Sequence, residues 1–378
     1  MARLREGTVG ILPAGALGVA FFFHLTQELR IVDGRVFFVE RSGSASGRAL
    51  RAEGRIRIGE SKLSGGIFAP DLNGCADAAM LPEVLLVCTQ PDQLLAFIAE
   101  WVRLFERLQA GTEDAVAELP ALILASNGIY FQRVRQFLLE KLEESTLLGR
   151  LPDLWPATMP RLVAKLLRGV TIQTGQREGT GAEAIYRPGP RGLTRIAGGA
   201  PEQRQRATEL LSSLGAWCEH VEDATPTRVE FDKALVNLIA NLLGQLAAID
   251  DGGHFWPLTV AEIFSALGEG DVRELVERVV EVGKAVHAYA PDEALAPIHA
   301  QVLASLHQHD THVPSSLQWI DAQLRHGTLR PQLTPTEKWL LDPLLRYAHA
   351  AGLEDAVHYF DALTRRVEHR LALALANR

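Results

Sequence analysis

Lys233, Asn237 and Asn241 recur at i, i+4 and i+8 within residues 231–244, FDKALVNLIANLLG, and most of the positions between them are apolar. On an α-helix this spacing stacks all three on one face. A lysine so placed can donate a proton to a ketone oxygen while the ketone carbon accepts hydride, and neighbouring amides can hold a carboxylate. The stripe also fits a partly solvated helix face, although asparagine is a mediocre helix former and two on one face need a reason.

A second candidate is Pro13-Ala14-Gly15-Ala16-Leu17-Gly18, a turn between an apolar run and a helix-length segment. It sits where a dinucleotide-binding G-x-G-x-x-G would, with proline replacing the first glycine. Gly15 lets a pyrophosphate approach the backbone, Gly18 lets the helix pack on the strand, and Ala16 and Leu17 lie between them in the turn, ahead of a helix whose N–H groups and dipole favour phosphate. A tight strand-to-helix turn with no ligand is the other reading.

About twenty residues further on, Glu40-Arg41 closes the next apolar run, where ribose specificity is set in such folds. The carboxylate favours a free 2'-hydroxyl and NAD. Arg41, backed by Ser42, Ser44 and Ser46, favours a 2'-phosphate and NADP. A solvated charged turn is the third reading. His307, His309 and His312 cluster with Asp310 like metal ligands, but a polar loop leading into Pro314-Ser315-Ser316 explains them without a metal.

These groups need a scaffold, and the 378 residues suit two domains with room for a cleft between them. At 47% hydrophobic and 22% charged residues, the chain can bury a substantial core. A net charge of -8 argues against nucleic-acid and anionic-membrane partners and for a small molecule. Cys75, Cys88 and Cys218 show no CxxC spacing, so a disulfide framework and a zinc site are not expected, and a reducing cytoplasmic setting is. The apolar run 19–23 is too short to span a bilayer, and the N-terminus reads as mature structure.

Residues 8–12, 35–39, 84–88 and 121–125 read as short strands apolar on both faces, the pattern of a parallel sheet covered by helices. Residues 19–29 and 93–108 supply helices between them. Residues 137–167 read as further helix interrupted at 152–160, and 169–199 as an edge sheet with loops. From 231 onward helices are predicted over 231–246, 260–267, 271–288, 298–306, 316–325, 336–351 and 353–377. The expected boundary lies at 221–226, giving domains 1–224 and 225–378.

Taken together, these motifs resemble the ketopantoate reductase (2-dehydropantoate 2-reductase) family. The shared features occur in order: Gly15 and Gly18, Asn127-Gly128 after a strand, Lys233, Asn237 and Asn241, Ser315-Ser316, and Thr336-Glu337. The resemblance implies an α/β Rossmann-type N-terminal domain plus an all-α C-terminal domain. It further implies cytoplasmic NADPH-dependent reduction of a 2-oxo acid, 2-dehydropantoate to pantoate in pantothenate biosynthesis, with NAD as an alternative cofactor. Lys233 would then be the general acid, Asn237, Asn241 and Ser316 would bind substrate, Asn127 would lie near the nicotinamide, and Glu337 would orient the nicotinamide end or the substrate. A homodimer is compatible with the resemblance. The departures are Pro13, the lack of a family lysine near Thr89 and Gln90, Ile320 in place of an aspartate, and Asp342-Pro343 in place of Asn-Gly. They leave room for a different oxo or imino acid, or for a non-catalytic NADP-binding sensor.

Overall fold

In a strand apolar on both faces, alternate side chains point to opposite sides, so a helical layer must cover each side. The computed structural model describes residues 4–40, 44–64, 67–111, 113–151, 157–179 and 183–377, and the chain divides into two compact units, Met1–Pro226 and Thr227–Arg378.

The first unit runs β1 (Leu4–Leu12), α1 (Ala16–Leu25), β2 (Val36–Val39), α2 (Ala45–Glu53), β3 (Arg55–Ile58), β4 (Ser61–Ser64), β5 (Phe68–Ala69), α3 (Leu72–Asp77), β6 (Leu81–Val87) and α4 (Pro91–Gln109). It continues with β7 (Ala121–Leu124), α5 (Phe131–Leu147), α6 (Thr158–Ala164), β8 (Leu166–Thr171), β9 (Gly175–Glu178), β10 (Ile185–Pro188), β11 (Thr194–Gly198), α7 (Pro201–Ser213) and β12 (Cys218–His220). Eight strands form one sheet in the order β12-β11-β8-β7-β6-β1-β2-β5. It is parallel from β5 through β8, and β11 then pairs antiparallel with β8. Leu85 and Val87 join a core with Leu94, Phe97 and Trp101 of α4, while Val84 and Leu86 join a second core with Val19 and Phe22 of α1 and Leu211 of α7. Both faces are therefore filled. A smaller sheet, β4-β3-β10-β9, packs on α1, and its Tyr186 hydroxyl donates to the carbonyl of Ala14 at 2.9 Å.

Two local expectations change. Residues 166 and 167 belong to β8, where Leu166 pairs with Leu122 and all six residues are buried, rather than to a helix. A short apolar run such as LLRGVT looks alike in a buried helix and a buried strand, and periodicity cannot separate the two. The small sheet also gives residues 55–64 a strand role that their mixed polarity did not signal.

The second unit contains α8 (Pro226–Asn237), a π-helical turn (Leu238–Leu243), α9 (Gly244–Ala248), α10 (Val260–Ala266), α11 (Glu269–Ala285), α12 (Leu295–His307), α13 (Ser315–His326), α14 (Pro335–Ala351) and α15 (Glu354–Ala376). The π-turn and α9 form its axis, with Leu238, Ile239, Leu242 and Leu243 of the π-turn buried against α10, α11, α13 and α14, and with α15 packed on α9. A Thr259–Glu262 capping box starts α10, and left-handed Gly327 and Gly352 end α13 and α14. No helix among the described residues is long and apolar enough to cross a membrane.

The glycine turn separates steric from functional need. A Cβ on Gly18 would lie 2.2 Å from the Pro13 carbonyl oxygen and 3.1 Å from Ile11, whereas one on Gly15 would meet only Pro13 Cγ, at 3.9 Å. Gly18→Ala should therefore lower the stability of the first unit by about 3 kcal/mol, and Gly15→Ala by no more than about 0.5 kcal/mol. Urea midpoints of the two variants check this, and equal shifts would overturn it.

Candidate active site

In the first unit the chain leaves β1 to one side, through β2 and β5, and returns as β6 on the other. Between β1 and β6 the strand order therefore switches direction, the point at which open α/β sheets take their ligands, outside the carboxyl ends of the strands. Four sequence candidates follow strands that end on this edge: Gly15 after β1, Glu40 after β2, Thr89 after β6 and Asn127 after β7. Gly15 is the N-cap of α1, and its open surroundings leave the first N–H groups of that helix approachable by a phosphate. Glu40 is buried and lies 3.8 Å from the Arg51 guanidinium. The Ser44 hydroxyl accepts from Gly47 N–H and caps α2. Thr89 is buried and donates to Gln93 at 2.9 Å. Arg41 lies outside the described residues.

Arg168, which the sequence did not single out, braces the Asn127 turn from β8. Its Nη1 donates to the carbonyls of Leu124 and Gly169 at 2.6 and 2.7 Å, and its Nη2 to those of Ser126 and Gly128 at 2.9 and 3.2 Å. The guanidinium also lies 4.5 Å from the Tyr130 ring centroid. With those carbonyls held, the turn keeps Gly128 at φ 129° and leaves Asn127 exposed. An arginine in a strand gives no pattern that would flag this role.

In the second unit the lysine stripe begins on α8 and crosses into the π-turn. The expected regular α face is interrupted there. The N–H of Gly244 reaches back five residues to Ile239, while the side-chain amides of Asn241 and Gln245 donate to the carbonyls four residues earlier, Asn237 at 3.2 Å and Asn241 at 3.1 Å. Side-chain amides that take up i−4 carbonyls compete with the α-helical ladder, and π-turns of this kind are frequent at functional sites. Gln245 extends the stripe by one more step of four and is fully buried, with its Oε1 unpartnered.

The amide of Asn241 is turned inward. Its Oδ1 accepts from the Ser315 hydroxyl at 3.2 Å and from the Ser316 N–H at 3.1 Å, which fixes the first turn of α13 against the stripe. The Ser316 hydroxyl in turn donates to Glu337 in the first turn of α14. The structure thus brings Asn241, Ser316 and Glu337 into one chain of hydrogen bonds, and all three are buried. Lys233 and Asn237 stand apart from it. Both keep partial exposure, and neither side chain has a hydrogen-bond or ion-pair partner among the described residues.

Two groups in this region are electrostatically displaced. Surrounding protein desolvates the Lys233 ammonium and lowers its pKa to about 8. Burial raises Glu337 to about 7 against the opposing pull of the Ser316 hydrogen bond, and its second oxygen, Oε2, has no partner. His312 is lowered by desolvation and then by the positive charges of His309 and Lys233, which puts the loop before α13 within electrostatic reach of the lysine. The carbonyls of Asp310 and His312 accept from Ala261 and Val260 at the start of α10. His307 pairs with Asp310 at 3.3 Å, and the described residues contain no group of three or more His, Cys, Asp and Glu placed to hold a metal.

No protein-family model matches the chain, and no curated protein matches its sequence. Solved structures share its fold. The ternary structure of D-mandelate dehydrogenase with NADH and anilino(oxo)acetate is 16% identical, with a TM-score of 0.60 over 98% of this chain and 99% of that one. The 2-dehydropantoate 2-reductase from Porphyromonas gingivalis is 14% identical, with a TM-score of 0.56 over 95% and 98% of the two chains. The dimeric ketopantoate reductase from Staphylococcus aureus is 14% identical, with a TM-score of 0.52 over 95% and 99%. At these identities the likeness shows the fold: a Rossmann-type α/β unit followed by an all-α unit.

Because the folded pKa of Glu337 is raised from 4.5 to about 7, its contribution to stability is full below pH 4.5 and is lost as pH rises through 7. The shift corresponds to about 3 kcal/mol. Glu337→Gln should therefore become more stable relative to the parent as pH increases from 4.5 to 8. Melting curves across that range check it, and a pH-independent difference would show that the carboxyl does not titrate as its burial requires.

Proposed function

We propose that the chain is an NAD(P)H-dependent reductase of a 2-oxo acid, of the ketopantoate reductase type, with Lys233 as the general acid. The single observation that carries this reading is the Lys233 ammonium: unpaired among the described residues, desolvated to a pKa of about 8, and one helical turn from the free amide of Asn237. A pKa near working pH suits a group that must give up a proton in each turnover and regain it.

The first unit fits a dinucleotide. Gly15 leaves room for a pyrophosphate at the N-terminus of α1, and Glu40 and Asn127 follow strands on the same sheet edge. When bound, the cofactor supplies the hydride. The chain's own groups do the rest. Lys233 delivers a proton to the substrate oxygen, and its positive charge attracts the carboxylate of a 2-oxo acid. The Asn237 amide, free of protein partners, orients the substrate through its two donors and its acceptor. Asn241, Ser316 and Glu337 hold α13 and α14 against the stripe, and their side chains act on the ligand through that placement. Arg168 sets the turn that presents Asn127 to the nicotinamide end.

The absence of a lysine at Thr89 and Gln90, together with the shared fold of D-mandelate dehydrogenase in its ternary structure with NADH and anilino(oxo)acetate, favours testing aryl 2-oxo acids beside ketopantoate. A homodimer is proposed on the same footing, from the dimeric reductase of like fold.

The test is NADPH or NADH oxidation with a panel of 2-oxo acids. Lys233→Met should reduce turnover by about 10²- to 10⁴-fold while leaving cofactor affinity, read by nicotinamide fluorescence, unchanged. In the parent, kcat/KM for the oxo acid should hold below pH 8 and fall above it, because only the protonated amine of the free enzyme can act as the acid. Cofactor binding without turnover of any oxo acid would instead identify a nucleotide sensor.

A further inference from the structure

The half-buried side chains of Phe264, Leu267, Leu295 and Leu303 converge on a cavity of about 660 Å³ in the second unit, built from α10, α12 and the start of α11. That volume is within the range of small-molecule sites, and the four side chains leave its walls apolar and open to solvent. One side is polar. Arg273 of α11 lines the cavity and has no ion-pair or hydrogen-bond partner among the described residues. His299 of α12 lines it too, with its Nε2 buried and unpartnered. No carboxylate is among the described lining residues. His307, also in the wall, stacks on Phe264 with ring centroids 5.7 Å apart and already has Asp310 as its partner.

Apolar walls with a guanidinium at the rim that has no counter-ion among the described residues match one kind of ligand chemistry. We propose that this cavity binds an amphipathic monocarboxylate, an aliphatic or aromatic acid whose tail lies among Phe264, Leu267, Leu295 and Leu303 and whose carboxylate meets Arg273. A cation is disfavoured by the same rim, and a neutral alcohol leaves the guanidinium without a counter-ion. None of Lys233, Asn237, Asn241, Ser316 or Glu337 lines the cavity, so this site is additional to the candidate active site and does not depend on the proposed reaction. The two are nonetheless joined through the chain. The last turn of α12 runs into the 308–314 loop, whose carbonyls cap α10 and which leads directly to Ser315 and Ser316. An acid held by α10 and α12 therefore grips the two elements that fix this loop.

Isothermal titration of the full chain with octanoate, octanol and octylamine tests the proposal. Octanoate is expected to bind one per chain, with the alcohol and the amine at least tenfold weaker. Arg273→Gln should weaken octanoate at least tenfold, and Leu303→Trp, which fills the cavity with a bulky uncharged side chain, should abolish binding. Circular dichroism confirms that both variants are folded. Lys233→Met should leave octanoate affinity unchanged. Absence of binding, equal affinity for octylamine, insensitivity to Arg273→Gln, or loss of binding in Lys233→Met would each overturn the assignment, the last by placing the acid at the lysine stripe instead.

Discussion

The arrangement of the helical unit turns on one buried amide. Asn241 lies on the axial helix among Leu238, Ile239, Leu242 and Leu243, where a polar group without partners would cost on the order of 1–3 kcal/mol. Three contacts remove that cost: its Nδ2 donates to Asn237, and its Oδ1 accepts from Ser315 and Ser316. Each contact also sets geometry. The first coincides with the π-turn and so alters the phase of the helix after Asn237. The other two fix where α13 begins, and through the Ser316 hydroxyl they fix where Glu337 of α14 lies. Apolar contacts alone would allow these helices to slide or rotate, whereas a buried hydrogen bond is met at one register.

The α/β unit solves a different problem by the same means. Parallel strands all present their carboxyl ends on one edge, so residues far apart in sequence reach a common line without any side chain pulling them together. The edge gives position along the line but not the conformation of each turn. Those are set locally: Gly18 by the contact of α1 with the Pro13 carbonyl, and the 126–128 turn by the four carbonyls that Arg168 gathers. A buried arginine bonded to several carbonyls is a rigid brace, since its planar fork offers five donors in fixed directions.

These two kinds of determinant explain what was legible in the sequence. The parallel strands are short runs apolar on both faces, set between helix-length segments, and the helices after residue 231 are longer periodic signals; the fold class follows from the two together. The lysine stripe was legible because i, i+4 spacing has one geometric meaning on a helix. What stayed hidden depends on partners distant in the chain. Leu166 and Leu167 become a strand only because β7 lies alongside, and residues 55–64 only because β10 pairs with β3. The π-turn could not be read either, since an asparagine that bonds its i−4 carbonyl looks the same in sequence as one that faces water. Gln245 falls on the stripe at the next step of four, and extending the spacing by one position would have found it. Arg168 carries no comparable signal.

The separation of Lys233 from the chain of buried hydrogen bonds has a chemical consequence. Desolvation disfavours its charged form, and no described carboxylate offsets that, so near neutral pH the free protein holds the ammonium with little reserve. An anionic ligand changes the balance. A carboxylate arriving beside the amine stabilises its charged form and raises its pKa, so the group becomes a firmly protonated donor when an oxo acid is present. As negative charge develops on the ketone oxygen, the same field assists proton transfer to it. Had Lys233 been paired with a protein carboxylate such as Glu337, its proton would be retained in both states and the coupling to substrate would be lost. Glu337 lies instead behind Ser316, buried and with its own pKa raised toward 7, where its charge does not compete for the lysine.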